Sequence, residues 1–181
     1  MLILASASPR RHELLQAAGI SHEVRPASVP ERANPGEPPV EFVKRLAAEK
    51  AAAILCNAGN VVLGADTIVC IESQVLGKPS DDRDACRMLR LLSGREHWVH
   101  TGIFLRSADR RISDVASTRV RFSELTTAEI DEYVRTGEPH DKAGAYAIQG
   151  LASKFVVSIE GCYHNVVGLP VSLVYRHLKT L

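Results

Sequence analysis

Val61-Val62-Leu63-Gly64-Ala65-Asp66-Thr67-Ile68-Val69-Cys70 is apolar nearly throughout, with one carboxylate and one hydroxyl in its middle. Val, Leu and Ile at this density, bounded by Asn60 and the turn-like Glu72-Ser73, predict a strand covered on both faces. There the in-out alternation of a half-exposed strand is lost. Asp66 then falls where charge is expensive. An ionised carboxylate buried without partners costs several kcal/mol or shifts its pKa until it is neutral, so Asp66 should meet a cation, a metal or several N–H donors. A structural Asp capping the strand end is the other reading this stretch allows.

The two helices that precede that strand in sequence supply candidate cations. Leu2 to Ala5 reads as a short strand, after which Ser8 can cap a helix with Pro9 at its first position and Gly19 at its end. Leu14, Leu15 and Ala18 form its inner stripe, and Arg11 projects onto the same face one turn earlier. Two first-turn cations, Arg10 and Arg11, oppose the helix dipole and call for an anion. With the hydroxyls of Ser6 and Ser8 and the N–H groups between them they make a candidate phosphate cradle. Pro39 to Leu55 reads as a long amphipathic helix with Val43, Leu46, Ala47 and Ile54 on one face. Lys50 sits in the middle of that stripe, either as a snorkelling stem or as a ligand-binding cation.

Between these helices, His22 to Arg25 reads as a strand, and the proline-rich segment from Pro26 to Pro39 as an ordered loop whose acids are Glu31 and Glu37. Beyond the central strand, Gly77-Lys78-Pro79 holds a lysine on a stiff turn that can meet a bound anion with little entropy loss. Asp82 to Leu92 is a helix, Glu96 to Leu105 and Ile112 to Phe122 a hairpin, and Thr126-Thr127-Ala128-Glu129 a capping box opening another helix. Asp141 to Gly150 is rich in small residues. Gly144 and Gly150 permit positive φ and close ligand approach, while Tyr146 and Gln149 offer a ring and an amide suited to a nucleobase edge; a packing segment is the alternative. Phe155 to Ile159 and Cys162 to Val166 read as a hairpin, and Pro170 to Leu181 as a closing helix.

Composition narrows the class. At 181 residues the chain suits one domain with a sizeable core, residues 1–181 as a unit of two lobes. Hydrophobic residues are 45% and charged ones 24%, ordinary for a soluble globular protein. A net charge of +1 leaves no broad footprint for nucleic acid or an anionic membrane, so no nucleic-acid or membrane partner is expected. Cys56, Cys70, Cys86 and Cys162 form no CxxC pair and read as reduced thiols without disulfide or zinc. The N-terminus lacks the basic-then-apolar order of a secretory signal, and no apolar run approaches the roughly 20 residues of a spanning helix; a cytoplasmic protein is expected. GxGxxG, GxxxxGK[ST] and GxSxG are absent, which argues against a dehydrogenase, a P-loop kinase and an α/β-hydrolase.

Taken together, Leu4-Ala5-Ser6-Ala7-Ser8-Pro9-Arg10-Arg11, Gly64-Ala65-Asp66-Thr67, Gly77-Lys78-Pro79 and Asp141 to Gly150 resemble the motifs of the Maf family of nucleoside triphosphate pyrophosphatases, in order and over the whole chain. The resemblance implies a two-lobed α/β fold like that of inosine triphosphatases, a mixed central β-sheet flanked by helices with an interlobe cleft, and a homodimer. It implies hydrolysis of a nucleoside triphosphate to monophosphate and pyrophosphate with a divalent metal, Mg or Mn. Asp66 would be the general base and a metal ligand, Glu31 a second acid at the metal, and Ser6, Arg11, Lys50 and Lys78 the phosphate-handling residues. Arg11, Thr67 and Gln149, with the sequence DKAGAYAIQG, resemble the subgroup acting on dTTP and UTP, with CTP or modified pyrimidine nucleotides as further substrates. The alternative left open is a nucleotide-sensing regulator of cell division and septum formation that does not depend on catalysis.

Overall fold

The computed structural model describes residues 1–181. In chain order the elements are β1 (Leu2–Leu4), α1 (Pro9–Ala17), β2 (His22–Val24), α2 (Pro39–Ala52), β3 (Val61–Ile71), β4 (Gln74–Leu76), α3 (Asp82–Leu92), β5 (Glu96–Arg106), β6 (Arg111–Phe122), α4 (Thr127–Arg135), β7 (Val156–Glu160), α5 (Tyr163–Val167) and α6 (Val171–Leu178). One seven-stranded mixed sheet takes the order β2-β1-β3-β5-β6-β7, with β4 paired to β3. β1 runs parallel to both neighbours, Leu4 opposite Val24 on one side and Leu63 on the other. β4 and β7 are antiparallel to β3 and β6. Parallel neighbours need crossovers, and α1 supplies the one between β1 and β2. No helix is long and apolar enough to cross a membrane. The mixed sheet flanked by helices is the architecture expected from the sequence.

In β3 every residue except Val61 and Thr67 is buried, as a strand covered on both faces requires. The chain divides into two compact units. The first comprises Met1–Thr67, His100–Ala116 and Gly168–Leu181, the second Ile68–Val99 and Ser117–Val167.

In the first unit, two glycines set how closely α2 lies on the sheet. A Cβ on Gly64 would fall 2.0 Å from the Ala47 carbonyl oxygen, and one on Gly102 would fall 2.4 Å from that of Val43. Both obstacles are helix backbone, which cannot rotate away. α2 therefore sits near enough for Val43, Leu46, Ala47 and Lys50 all to be buried. Gly64→Ala is expected to destabilise the protein by about 3 kcal/mol by overpacking, read as a lower urea midpoint at unchanged m-value. α2 ends at Ala52, short of the expected Leu55, and Ile54 packs beyond it on the cluster of Ile3, Ala5, Ala51 and Val62. On α1, Leu14 and Leu15 are buried but Ala18, expected inward, is exposed, because the helix has ended at Ala17.

The second unit is built on aromatic rings. Phe122 lies 4.8 Å from Tyr146, 5.0 Å from His97 and 6.2 Å from Phe155, whose ring lies 5.4 Å from Tyr133. Tyr146 is thus core and not an exposed ring for a base, with its hydroxyl 2.9 Å from His97 Nε2. The small residues beside it also serve packing. Gly144, at φ +69°, would place a Cβ 2.8 Å from Val69, and Gly150 would place one 2.2 Å from the Glu138 carboxylate, which accepts from Tyr133 and the Leu151 amide. The expected ligand approach at these glycines is taken by the protein's own side chains.

The expected strand at Cys162 to Val166 is instead helix α5. Gly161 at φ +128° leaves the strand, and the fully buried Asn165 donates from Nδ2 to the Val99 carbonyl (2.9 Å) and to Thr118 Oγ1 (2.8 Å). The helical turn brings that amide to both acceptors, and leaving a buried amide unpaired would cost more than local strand propensity returns. α3 and α4 begin as expected, α3 with Asp81 accepting from the Asp84 amide and α4 with a complete capping box at Thr126 and Glu129.

His97 carries a pH signature. Burial pushes its imidazole down to about 4 from 6.5, and its Nδ1 has no hydrogen-bond partner, so a proton there would lack an acceptor. The folded pKa lies below the unfolded one. Stability is therefore complete above about pH 6.5 and declines as the pH falls toward 4, where the unfolded chain holds a proton that the folded chain refuses. The slope is about 1.4 kcal/mol per pH unit at most. Urea midpoints measured between pH 7 and 4.5 are expected to fall, and to fall less steeply in His97→Gln.

Candidate active site

Six of the eight residues singled out from the sequence, Ser6, Arg11, Glu31, Lys50, Asp66 and Thr67, belong to the first unit. Asp66, only 6% exposed, projects from β3, and the Lys50 ammonium from α2 lies 2.6 Å from its Oδ1. The same Nζ lies 2.6 Å from Glu31 Oε1, so two carboxylates from different segments converge on one cation. The geometry follows from the close seat of α2, since a lysine stem on the buried stripe reaches β3 only across a short gap.

Arg11 is bonded to the residues on either side of Asp66 in β3. Its Nε donates to the Gly168 carbonyl (2.8 Å), Nη1 to Ser6 Oγ (3.0 Å) and to the Ala65 carbonyl (2.8 Å), and Nη2 to Thr67 Oγ1 (3.0 Å). Four of its five N–H donors are thereby engaged, with one on Nη2 remaining. The guanidinium clamps the residues before and after Asp66. Ser6 Oγ accepts from Arg11 and from the Ser8 amide (3.2 Å), which leaves its own hydrogen to donate. Ser8 holds the N-cap position of α1 without making the expected side-chain cap, so no side chain covers the first-turn amides.

Burial pushes the Asp66 carboxyl above its ordinary value, although Lys50 and Arg11 pull it down. Burial likewise lowers Arg11, against the attraction of Asp66 and Glu31. Opposed charges held in a dry setting, with burial acting against each of them, make Asp66 and Arg11 candidates for a functional site.

Lys78 and Gln149 belong to the second unit and are exposed. Lys78 lies on a bend whose neighbour Gly77 accepts at its carbonyl from the Gly144 amide (3.0 Å), tying the Gly-Lys-Pro turn to the small-residue segment. Gln149 is on the turn that ends at Gly150.

Two contributors were invisible in the sequence. Thr101, fully buried on β5, lies with its hydroxyl 2.9 Å from Thr67 Oγ1, and Gly168 accepts from both Arg11 and Thr67 (3.2 Å). Neither has a local signal, for each meets the site only through sheet order and chain return.

No group of three or more His, Cys, Asp or Glu residues gathers anywhere in the structure. Glu31 and Asp66 are the two carboxylates available. That donor set fits Mg²⁺ or Mn²⁺ held by one or two carboxylates and completed by water and substrate phosphate, and does not fit a closed all-protein cage.

The model of the family described as Maf-like protein matches residues 1–181. A protein of Koribacter versatilis (strain Ellin345), named dTTP/UTP pyrophosphatase, is 51% identical over 98% of this chain and 93% of its own length. Proteins of the same name from Anaeromyxobacter sp. (strain Fw109-5) and Bacillus cereus (strain AH820) are 53% and 49% identical, over 94% and 98% of this chain and 84% and 94% of their own lengths. With the family model matched from first residue to last and relatives about half identical along nearly the whole length, the chain belongs to the Maf-like protein family.

Proposed function

We propose that this protein is a nucleoside triphosphate pyrophosphatase that hydrolyses dTTP and UTP to the monophosphate and pyrophosphate. The observation that supports this best is the convergence of Glu31 and Asp66 on Lys50 beside the Arg11 clamp, in a chain half identical to proteins named for that activity. Attack of water at the α-phosphorus needs a base and a means of neutralising the triphosphate. Asp66, whose affinity for a proton is raised by burial, takes the proton from water. Lys50, the remaining Arg11 N–H and the Ser6 hydroxyl orient phosphoryl oxygens and offset their charge. Lys78 contributes a further cation to the phosphates. A divalent metal, Mg²⁺ or Mn²⁺, held by Glu31 and Asp66, supplies Lewis-acid charge neutralisation when bound. Thr67 and Gln149 select the pyrimidine, Gln149 by its two-faced amide. The protein works as a cytoplasmic homodimer.

The test is direct. Incubating the protein with dTTP, UTP, CTP, GTP and 7-methyl-GTP, with Mg²⁺ or Mn²⁺, should yield monophosphate and pyrophosphate in equal amounts, fastest from dTTP and UTP. Orthophosphate as product, or a purine preference, would overturn the reading. Nucleotide bound without turnover would favour the sensing regulator instead.

A further inference from the structure

We propose that Arg45, a residue off the buried stripe of α2, is a positioning residue that straps the loop bearing Glu31 onto that helix and so holds the Glu31 carboxylate at Lys50 and Asp66. The inference rests on the reading of Glu31 as a site carboxylate. The segment from Pro26 to Pro38 has no regular structure, and Glu31 lies in it half exposed, with a side-chain exposure of 48%. A loop carboxylate of that kind is placed accurately only if the loop is anchored nearby. Arg45 is the anchor. Its Nη2 donates to the carbonyl of Arg32, the residue after Glu31 (2.9 Å), while Nε and Nη2 grip both oxygens of Glu37 at 2.6 and 2.7 Å.

Glu37 in turn closes the loop on itself. Its Oε2 accepts from the Asn34 amide (2.9 Å) and its own amide donates to the Asn34 carbonyl (3.0 Å), across a turn with Pro35 and the left-handed Gly36 at its centre. The Arg45 hydrogen bonds hold the Glu37 carboxyl down to about 2, so the grip persists through the whole neutral range. Arg45 is itself held, by Glu49 Oε1 (2.9 Å) and by the ring of the buried Phe42, 5.4 Å below its guanidinium. Both ends of the turn that follows Glu31 are therefore fixed to α2, the helix that also presents Lys50. One rigid element thus sets both partners of the ion pair, and a planar fork is required, since a lysine ammonium cannot grip a carboxylate bidentately and a carbonyl together.

The experiment uses the full chain as wild type, Arg45→Gln, Glu31→Gln and the double variant, with two readouts. The first is limited trypsin digestion, comparing cleavage after Arg32, in the strapped loop, with cleavage after Arg110, in the exposed turn between β5 and β6. Loss of the strap should speed the Arg32 cut about tenfold and leave the Arg110 cut unchanged. The second is the Mn²⁺ concentration giving half-maximal dTTP hydrolysis. Arg45→Gln and Glu31→Gln should each raise it about tenfold, and the double variant no further, because both remove the same placed carboxylate. Effects that multiply in the double variant, or an Arg32 cut no faster in Arg45→Gln, would overturn the proposal while leaving Glu31 at the metal. A Glu31→Gln variant with unshifted Mn²⁺ dependence would instead remove Glu31 from the site, and the role of Arg45 with it.

Discussion

Asp66→Asn is expected to lower kcat for dTTP by about 10² to 10⁴-fold while the melting temperature stays close to that of the parent, because it deletes the proposed base and keeps the shape. The amide has the size of the carboxylate and cannot take a proton from water. The fold should persist because Lys50 retains Glu31 at 2.6 Å, and because burial already works against the charge that the substitution removes. Pyrophosphate release and thermal melts of the same preparation separate the two effects. Turnover equal to the parent's would remove Asp66 from the chemistry.

Arg11→Met is expected to do the opposite in kind, destabilising the fold by about 3 kcal/mol and abolishing activity with it. Methionine fills much of the volume, yet it leaves the carbonyls of Ala65 and Gly168 and the hydroxyls of Ser6 and Thr67 without their donor. Arg11 is only 7% exposed, so water replaces little of what is lost. It also leaves Asp66 with one cation fewer. A urea midpoint lowered together with the loss of turnover is the expected result. A variant of full stability that merely binds nucleotide more weakly would mean that the guanidinium serves the substrate and not the strand. The contrast between the two substitutions distinguishes a group that acts on water from one that holds the frame around it.

How much of the site was visible beforehand depends on the range over which each contact acts. Arg11 and Lys50 stood out because a charged residue on the apolar stripe of a helix breaks a 3.6-residue period, and both proved buried against the central strand. Asp66 stood out because one charge interrupts an apolar run. Glu31 could be named only through resemblance, since nothing in Pro30-Glu31-Arg32-Ala33 distinguishes it from a solvated loop acid. Tyr146 misled: a tyrosine among small residues has the same local look whether it faces a ligand or, as here, His97 and Phe122 in the core. Arg45 and Glu37, eight residues apart across a loop–helix junction, follow no periodicity at all.

From the linear chain alone came the apolar central strand, the amphipathic helices with their misplaced cations, and the helix caps, all of which rest on interactions within a few residues. Left to the three-dimensional packing were the depth of α2, set by helix backbone against Gly64 and Gly102, the helical conversion of the segment after Gly161 around a buried amide, and the union of Glu31 with Lys50 and Asp66. The physical reason is that periodicity and capping are local energies, whereas backbone clearance and the pairing of buried polar groups acquire a value only when distant segments meet.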